Sequence, residues 1–188
     1  TTAAVDMGLS VRWADRNLGA ETAEGYGLYF WWGDTTGHLP GGGFPFSNSN
    51  PAIATHNKPM NTLRNNGTVD GNHRLTPQHD AAQQLLGEGW HTPTYAEWEE
   101  LKQQCQWTWV QRGNVQGYEV KAKNGNSIFL PAAGQQHGRS LCGTHGYYWS
   151  ATGRDDLTQA YHLQFSNLYH SLASYYRFCG ECIRPVRE

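Results

Sequence analysis

The chain has 188 residues with 14 Lys plus Arg against 16 Asp plus Glu, a formal net charge of -2, and only 16% charged residues. That length suits one domain, or two at most, able to bury roughly two-thirds of its unfolded surface. The sparse basic residues form no stripe that would neutralise a phosphate backbone, which argues against nucleic acid and an anionic membrane surface as partners. No apolar run approaches the ~18 residues of a spanning helix, so direct membrane insertion is not expected either.

The opening Thr1-Thr2-Ala3-Ala4-Val5-Asp6 lacks the basic and apolar regions of a signal peptide, and the expectation is a mature or trimmed chain. Val11-Arg12-Trp13 reads as a short extended run, and Gly25-Tyr26-Gly27-Leu28-Tyr29-Phe30-Trp31-Trp32-Gly33 as an aromatic strand buried on both faces. Eight Trp, ten Tyr and six Phe offset a mean hydropathy of -0.69, so the expected core is aromatic. With 22 Gly and many neutral polar residues on the outside, the composition has a secreted or surface-protein style.

Gly37 to Gly71 is rich in Gly, Pro, Asn and Ser and reads as one long surface loop. A first helix is expected from Thr76 as N-cap and Pro77 at the first helical position, with Ala81, Ala82, Leu85 and Leu86 on one face and Gly87 as its stop. A second opens with the capping box Thr94-x-x-Glu97 and presents Trp98, Leu101 and Cys105 as one stripe. An antiparallel meander follows through Trp107-Thr108-Trp109-Val110, Tyr118 to Ala122 and Ile128-Phe129-Leu130, with Asn124-Gly125 as a hairpin signal. Beyond Gly134, strand fragments at Tyr147 to Ser150, Tyr161-x-Leu163-x-Phe165 and Ile183 to Val186 frame polar loops.

The blocks Gly8-Leu9-Ser10-Val11-x-Trp13-Ala14, Gly25-Tyr26-Gly27-x-Tyr29-Phe30-x-Trp32-Gly33, Gly89-Trp90-x-x-Pro93-Thr94-x-x-Glu97-Trp98, Asn124 to Gly134, Gly146 to Ser150 and Arg184-Pro185-Val186 come in an order that resembles the major-paralogous-domain proteins of Bacteroidetes and Fibrobacter. The resemblance implies an α+β C-type lectin fold of the formylglycine-generating-enzyme-like form, with two helices packed on twisted antiparallel sheets and long loops. It further implies a single domain over 1–188, in which 1–134 is scaffold and 135–188 a variable ligand-binding region of the kind diversified by retroelements. In such relatives, mutation of template adenines turns Asn-type codons into Tyr, His, Ser, Leu, Phe, Cys, Arg or Gly, and the stretch from Ser166 to Glu181 fits that description.

Laid on that pattern, Tyr161, Leu163, Phe165, Arg177, Gly180, Arg184, Pro185 and Val186 look like framework. Leu168, Tyr169, His170, Leu172, Ser174, Tyr175, Phe178 and Cys179 stand where ligand-facing side chains are expected, since they follow no helical or strand period. Further candidates are Ser140, Leu141, Thr144 and His145 in one loop, Arg154, Asp155 and Asp156 in another, and His162 and Gln164, which alternate away from the expected core. Glu181 is included although Glu cannot arise from an Asn codon by adenine change alone. The implied function is an extracellular, cell-surface or phage-borne receptor or adhesin that binds a protein or glycan ligand on another surface, without a cofactor and without catalysis.

The alternatives are a copper- or oxygen-dependent oxidase on the same fold, which needs Cys179 and Cys182 as neighbouring thiols in a groove, and a structural part of a pilus or surface assembly. The four cysteines, Cys105, Cys142, Cys179 and Cys182, permit two disulfides in three connectivities, while Cys179-x-x-Cys182 has no second pair to complete a zinc site. The Glu-Pro-Asn or Gln-Pro-Asp triplet of calcium-dependent lectins is missing, and none of the nine histidines lies in a nucleophile motif. Trp31-Trp32 and Trp107-x-Trp109 are read as core or half-core in preference to sugar-stacking platforms.

Overall fold

The computed structural model describes residues 1–41, 45–137 and 141–188. In chain order the strands are β1 (Ala4–Val5), β2 (Arg12–Ala14), β3 (Trp90–His91), β4 (Gln106–Arg112), β5 (Val115–Lys121), β6 (Ser127–Pro131), β7 (Gly146–Gly153), β8 (Gln159–Ser166), β9 (Tyr169–Tyr176) and β10 (Val186–Arg187). The helices are α1 (Met60–Asn65), α2 (Ala81–Leu86) and α3 (Tyr95–Gln104). The strands pair antiparallel into three sheets ordered β1-β2-β10-β3, β4-β5-β6 and β7-β8-β9, a mixed α+β fold. In the first sheet β10 lies between β2 and β3, pairing Val186 with both Trp13 and His91, so the two ends of the chain meet.

The core is aromatic, as the composition implies. Trp13, Trp32, Trp98, Tyr29, Tyr148 and Phe165 are fully buried. Three buried indoles satisfy their N–H on main-chain carbonyls: Trp32 on Ser150 at 2.9 Å, Trp149 on Phe30 at 2.7 Å and Trp98 on Trp149 at 3.2 Å. The run from Gly25 to Gly33 belongs to none of the three sheets. It passes extended through the core, bridged at Tyr29 to His38 and at Phe30 to Glu181.

Helix α3 begins as its capping box predicts. The Thr94 hydroxyl accepts from the Glu97 N–H at 3.2 Å, and the Glu97 carboxylate accepts from the Thr94 N–H at 2.9 Å. Glu97 also lies 2.8 Å from His91 Nε2. Burial pushes the Glu97 carboxyl up, but the His91 hydrogen bond and charge and the Thr94 N–H outweigh it, and its net pKa falls below the usual carboxylate value. A lowered carboxylate binds fewer protons folded than unfolded, so its stabilisation is present above about pH 4.5 and is lost as pH falls through the folded value. Glu97→Gln keeps the capping geometry. Its stability deficit in urea melts should therefore be largest near neutrality and shrink on acidification; a pH-independent deficit would contradict this.

The first predicted helix is placed differently. Thr76 makes no side-chain cap; Pro77–His79 is a single 3₁₀ turn, and Asp80 is the N-cap of α2, accepting from Ala82 N–H at 3.0 Å. The same buried carboxylate accepts from the N–H and hydroxyl of Thr92, so a tertiary contact moved the helix start.

The stretch from Gly37 to Gly71 is not simply a surface loop. Phe46, Ile53, Met60, Leu63 and Val69 are buried, and α1 forms within it behind Pro59, which makes no side-chain cap. Gly180 is bare because the Phe46 ring packs on it; a Cβ there would lie 2.6 Å from ring carbons. Arg177, fully buried, clamps this stretch from inside by donating to the carbonyls of Thr55 and Lys58.

The largest departure from the sequence reading is β9. Residues 169–176 follow no visible period, yet they pair with β8 along its whole length, from Ser166↔Tyr169 to Gln159↔Tyr176. Cross-strand pairing along a long register decides here, since the side chains show no clean alternation.

Candidate binding surface

The β7-β8-β9 sheet has two unlike faces, set by period-2 alternation. Opposed residues Tyr148, Leu163 and Leu172, and likewise Gly146, Phe165 and His170, face inward toward α3 and the β4-β5-β6 sheet. The other face carries Tyr147, Gln164 and Ser171, then Trp149, His162 and Ala173, then Ala160 and Tyr175. Its lower part is closed, for Trp149 and Ala160 pack with Phe30, Trp32 and Met60. Its upper part is open, forming a depression of about 530 Å³ lined by Gln135, His137, Leu141, His145, Tyr147, Gln164 and Tyr175.

A buried pair supports the floor. His162 Nδ1 lies 2.8 Å from a Glu181 carboxylate oxygen, both side chains being 0% exposed, and His162 Nε2 lies 3.2 Å from Gln164 Oε1. Burial pushes the Glu181 carboxyl up, against the pull of His162. Glu181 reaches this position because main-chain bonds lock its segment between Phe30 and β7: Phe30 and Glu181 exchange both N–H···O bonds, and Cys182 N–H donates to Tyr147 O. The His162 ring stacks under Tyr175 at 5.7 Å and 13°, with Tyr147 tilted against it at 5.8 Å. Burial, with Tyr169 and Glu181 nearby, pushes the Tyr147 hydroxyl up to about 12 against a hydrogen bond with Gln135, so it stays neutral at physiological pH. His145 stacks beside Tyr147 at 6.2 Å and 7° and is fixed through Nδ1 by the Thr144 hydroxyl at 2.9 Å. The depression offers hydrogen-bond donors and acceptors set among aromatic rings.

The structure thus brings Leu141, His145, Gln164 and Tyr175 together, with Thr144 behind His145 and Tyr169 on the same face. Other expectations are corrected. His162 and Glu181, both expected to face ligand, instead form the buried support, covered by the rings above them. Phe178 and Cys179 are buried with Ile53. His170, Leu172 and Ser174 project to the inward face. Leu172 packs on the main core, and Ser174 is held in a network in which Arg154 Nη1 donates to its hydroxyl at 2.7 Å while that hydroxyl donates to Gln159 Oε1 at 2.7 Å. Arg154 pairs with Asp156, whose carboxylate also caps the turn by accepting from Thr158 and Gln159 N–H; Asp155 is exposed, as is Leu157 beyond it. Leu168 stands at the β8–β9 turn, 86% exposed and away from the depression. Ser140 lies outside the described residues.

Sequence reasoning missed Gln135, His137 and Tyr147. Tyr147 was within reach: once Tyr148 is assigned to the core, alternation puts Tyr147 on the opposite face. Gln135 and His137 carry no such signal, being positioned by the Gln136–Gly180 bridge. Cys179 and Cys182 are free thiols but lie in different packed clusters, and burial pushes both thiols up, so they present no accessible thiolate pair in a groove. No grouping of His, Cys, Asp and Glu suited to a metal ion occurs among the described residues.

No family model matches the chain, and no curated protein or solved structure matches it. No helix among the described residues is long and apolar enough to cross a membrane.

Proposed function

We propose that this chain is a binding module of C-type lectin fold, displayed outside the cell or on a phage particle, that holds a protein or glycan ligand in the open end of the β7-β8-β9 face. The observation that carries this is the convergence of Tyr147, Gln164 and Tyr175 from three adjacent strands around one depression, on a floor stiffened by the His162–Glu181 pair. Tyr is suited to the task, giving large contact area at low entropic cost with a polar tip. Diversification is compatible with this geometry, because Tyr169, Ser171, Ala173 and Tyr175 point to one face of an edge strand, of which Tyr175 also packs on the core below.

The test is a paired substitution. Gln164→Ala with Tyr175→Ala should weaken capture of hits from a protein and glycan array by about thirtyfold, the scale of a central aromatic anchor, while melting shifts by only a few degrees. Retained capture removes the assignment. Randomising Tyr169, Ser171 and Tyr175 should likewise preserve folding where randomising His170 and Leu172 does not. A near-identical non-coding repeat near the gene, carrying adenines at the codons for the exchangeable positions, would support retroelement diversification.

A further inference from the structure

Away from that depression, the edge strand β4 and the β8–β9 turn enclose an open cleft of about 560 Å³, whose lining includes Lys102, Trp107, Trp109, Asn167, Leu168 and His170. We propose that this cleft is a second ligand site, and that it takes an oligosaccharide bearing a hexuronic acid. Its walls are aromatic plates. His170 stacks on Trp107 at 4.5 Å and 5°, making one composite surface. Trp109 meets Tyr118 at 5.1 Å and 81° and Phe165 at 6.1 Å and 74°, both edge-on, and no ring lies parallel to it among the described residues. Its N–H is already engaged by Gln116, which fixes the indole in place. A half-exposed, fixed indole without a stacking partner suits the C–H face of a pyranose.

The polar groups narrow the ligand further. Among the described residues the Lys102 ammonium, the Asn167 amide and the His170 ring make no hydrogen bond or ion pair, although they border the cleft. Burial, aided by the charge of Lys102, pulls the His170 pKa down, so the neutral ring offers one donor and one acceptor, as neighbouring sugar hydroxyls require. An apolar peptide side chain would leave all three groups unmatched. Among the described residues Lys102 is the one charged side chain in the lining, and a carboxylate on the sugar ring complements it. Trp107 and Trp109, read from the sequence as core or half-core, are half-buried against the main core and on their open side wall the cleft, because β4 is the outermost strand of its sheet.

The lining of this cleft shares no residue with that of the depression, although Tyr169, on the same face as the depression, borders the cleft, and the experiment separates the two sites. The full chain is titrated with hexameric oligogalacturonate and with its carboxyl-reduced counterpart, which keeps ring and linkage but has no charge. The acidic hexamer should bind at least about tenfold more tightly, the scale of one charge-assisted contact. Lys102→Gln should erase that difference, and Trp109→Ala should cut binding of the acidic hexamer about tenfold or more, an aromatic stacking effect. Leu168→Asp, at an exposed turn position outside the core, puts a carboxylate on the wall of the cleft that Lys102 also lines and should produce the same loss. Tyr175→Ala should leave this binding unchanged. Equal affinity for the two hexamers, no binding of the acidic one, or full binding by Leu168→Asp each overturns the proposal.

Discussion

Replacing Arg177 by Met should destabilise the domain by about 4 kcal/mol, the cost of removing one partner from a buried, fully hydrogen-bonded charge site. Nε donates to Gln159 O at 2.8 Å; Nη1 serves Thr55 O, Lys58 O and Leu157 O; Nη2 serves Arg154 O and Asp156 O. The planar fork therefore ties two separate stretches of chain, 55–58 and 154–159, to the end of β9. Burial pulls the guanidinium down to about 10, still charged at neutral pH, and Asp156 lies 3.7 Å away on the other side. Met fills similar volume but leaves those carbonyls buried without a donor. For a chain of this size the loss corresponds to a fall in melting temperature of roughly 8–16 °C. Arg177→Lys keeps the charge but cannot reproduce the fork, so it should recover only part of the stability. Amide exchange near Thr55 and Lys58 should accelerate in both variants before the β4-β5-β6 sheet is affected. A melting temperature within two degrees of the parent for Arg177→Met would show that the network contributes little.

The second large effect concerns the pair beneath the binding floor. His162→Ala and Glu181→Ala should each cost about 3–5 kcal/mol, because each leaves a fully buried polar partner unmatched. The double variant should cost less than the sum by about 1–3 kcal/mol, since removing both partners abolishes the orphan. Urea denaturation of the four proteins measures this directly, and strict additivity would show that the pair does not act as a unit. The consequence reaches the surface: the His162 ring carries Tyr175 and Tyr147 through ring contacts, so either single change should also weaken capture at the depression. His162→Phe keeps a flat ring under Tyr175 and should restore capture better than Ala while leaving Glu181 unpaired, which separates ring support from charge pairing.

How much of this was legible beforehand depended on the range of the interaction involved. Helix α3 was readable because its capping box and its Trp98/Leu101 stripe are local, settled within a few residues of chain. The meander from Gln106 to Pro131 was readable for the same reason, with Asn124-Gly125 marking a turn where Gly125 takes a positive φ of 91°. Helix α1 was not, because Met60 to Asn65 has no side-chain cap and is held by burial of Met60 and Leu63 against distant elements. The start of α2 was misplaced because Asp80 owes its position as much to Thr92 as to its own helix.

The candidate site divides along the same line. Its neighbourhood in the C-terminal third was visible in the sequence, but the assignment of individual residues was not, since β9 shows no periodicity of its own. The register with β8 decides that Tyr169 and Tyr175 face outward while His170 and Leu172 face inward, and burial by neighbouring rings decides that His162 and Glu181 are supports.

The sequence by itself determined an aromatic core, the capped helix α3 and the meander, all of which follow from composition and short-range chemistry. Only the tertiary structure decided which of the candidate site residues meet, that Tyr147 and Gln135 join them, and that Trp107 and Trp109 line a cleft. The physical reason is that exposure and partnership belong to pairs of residues far apart in the chain, and these are fixed by strand register and packing.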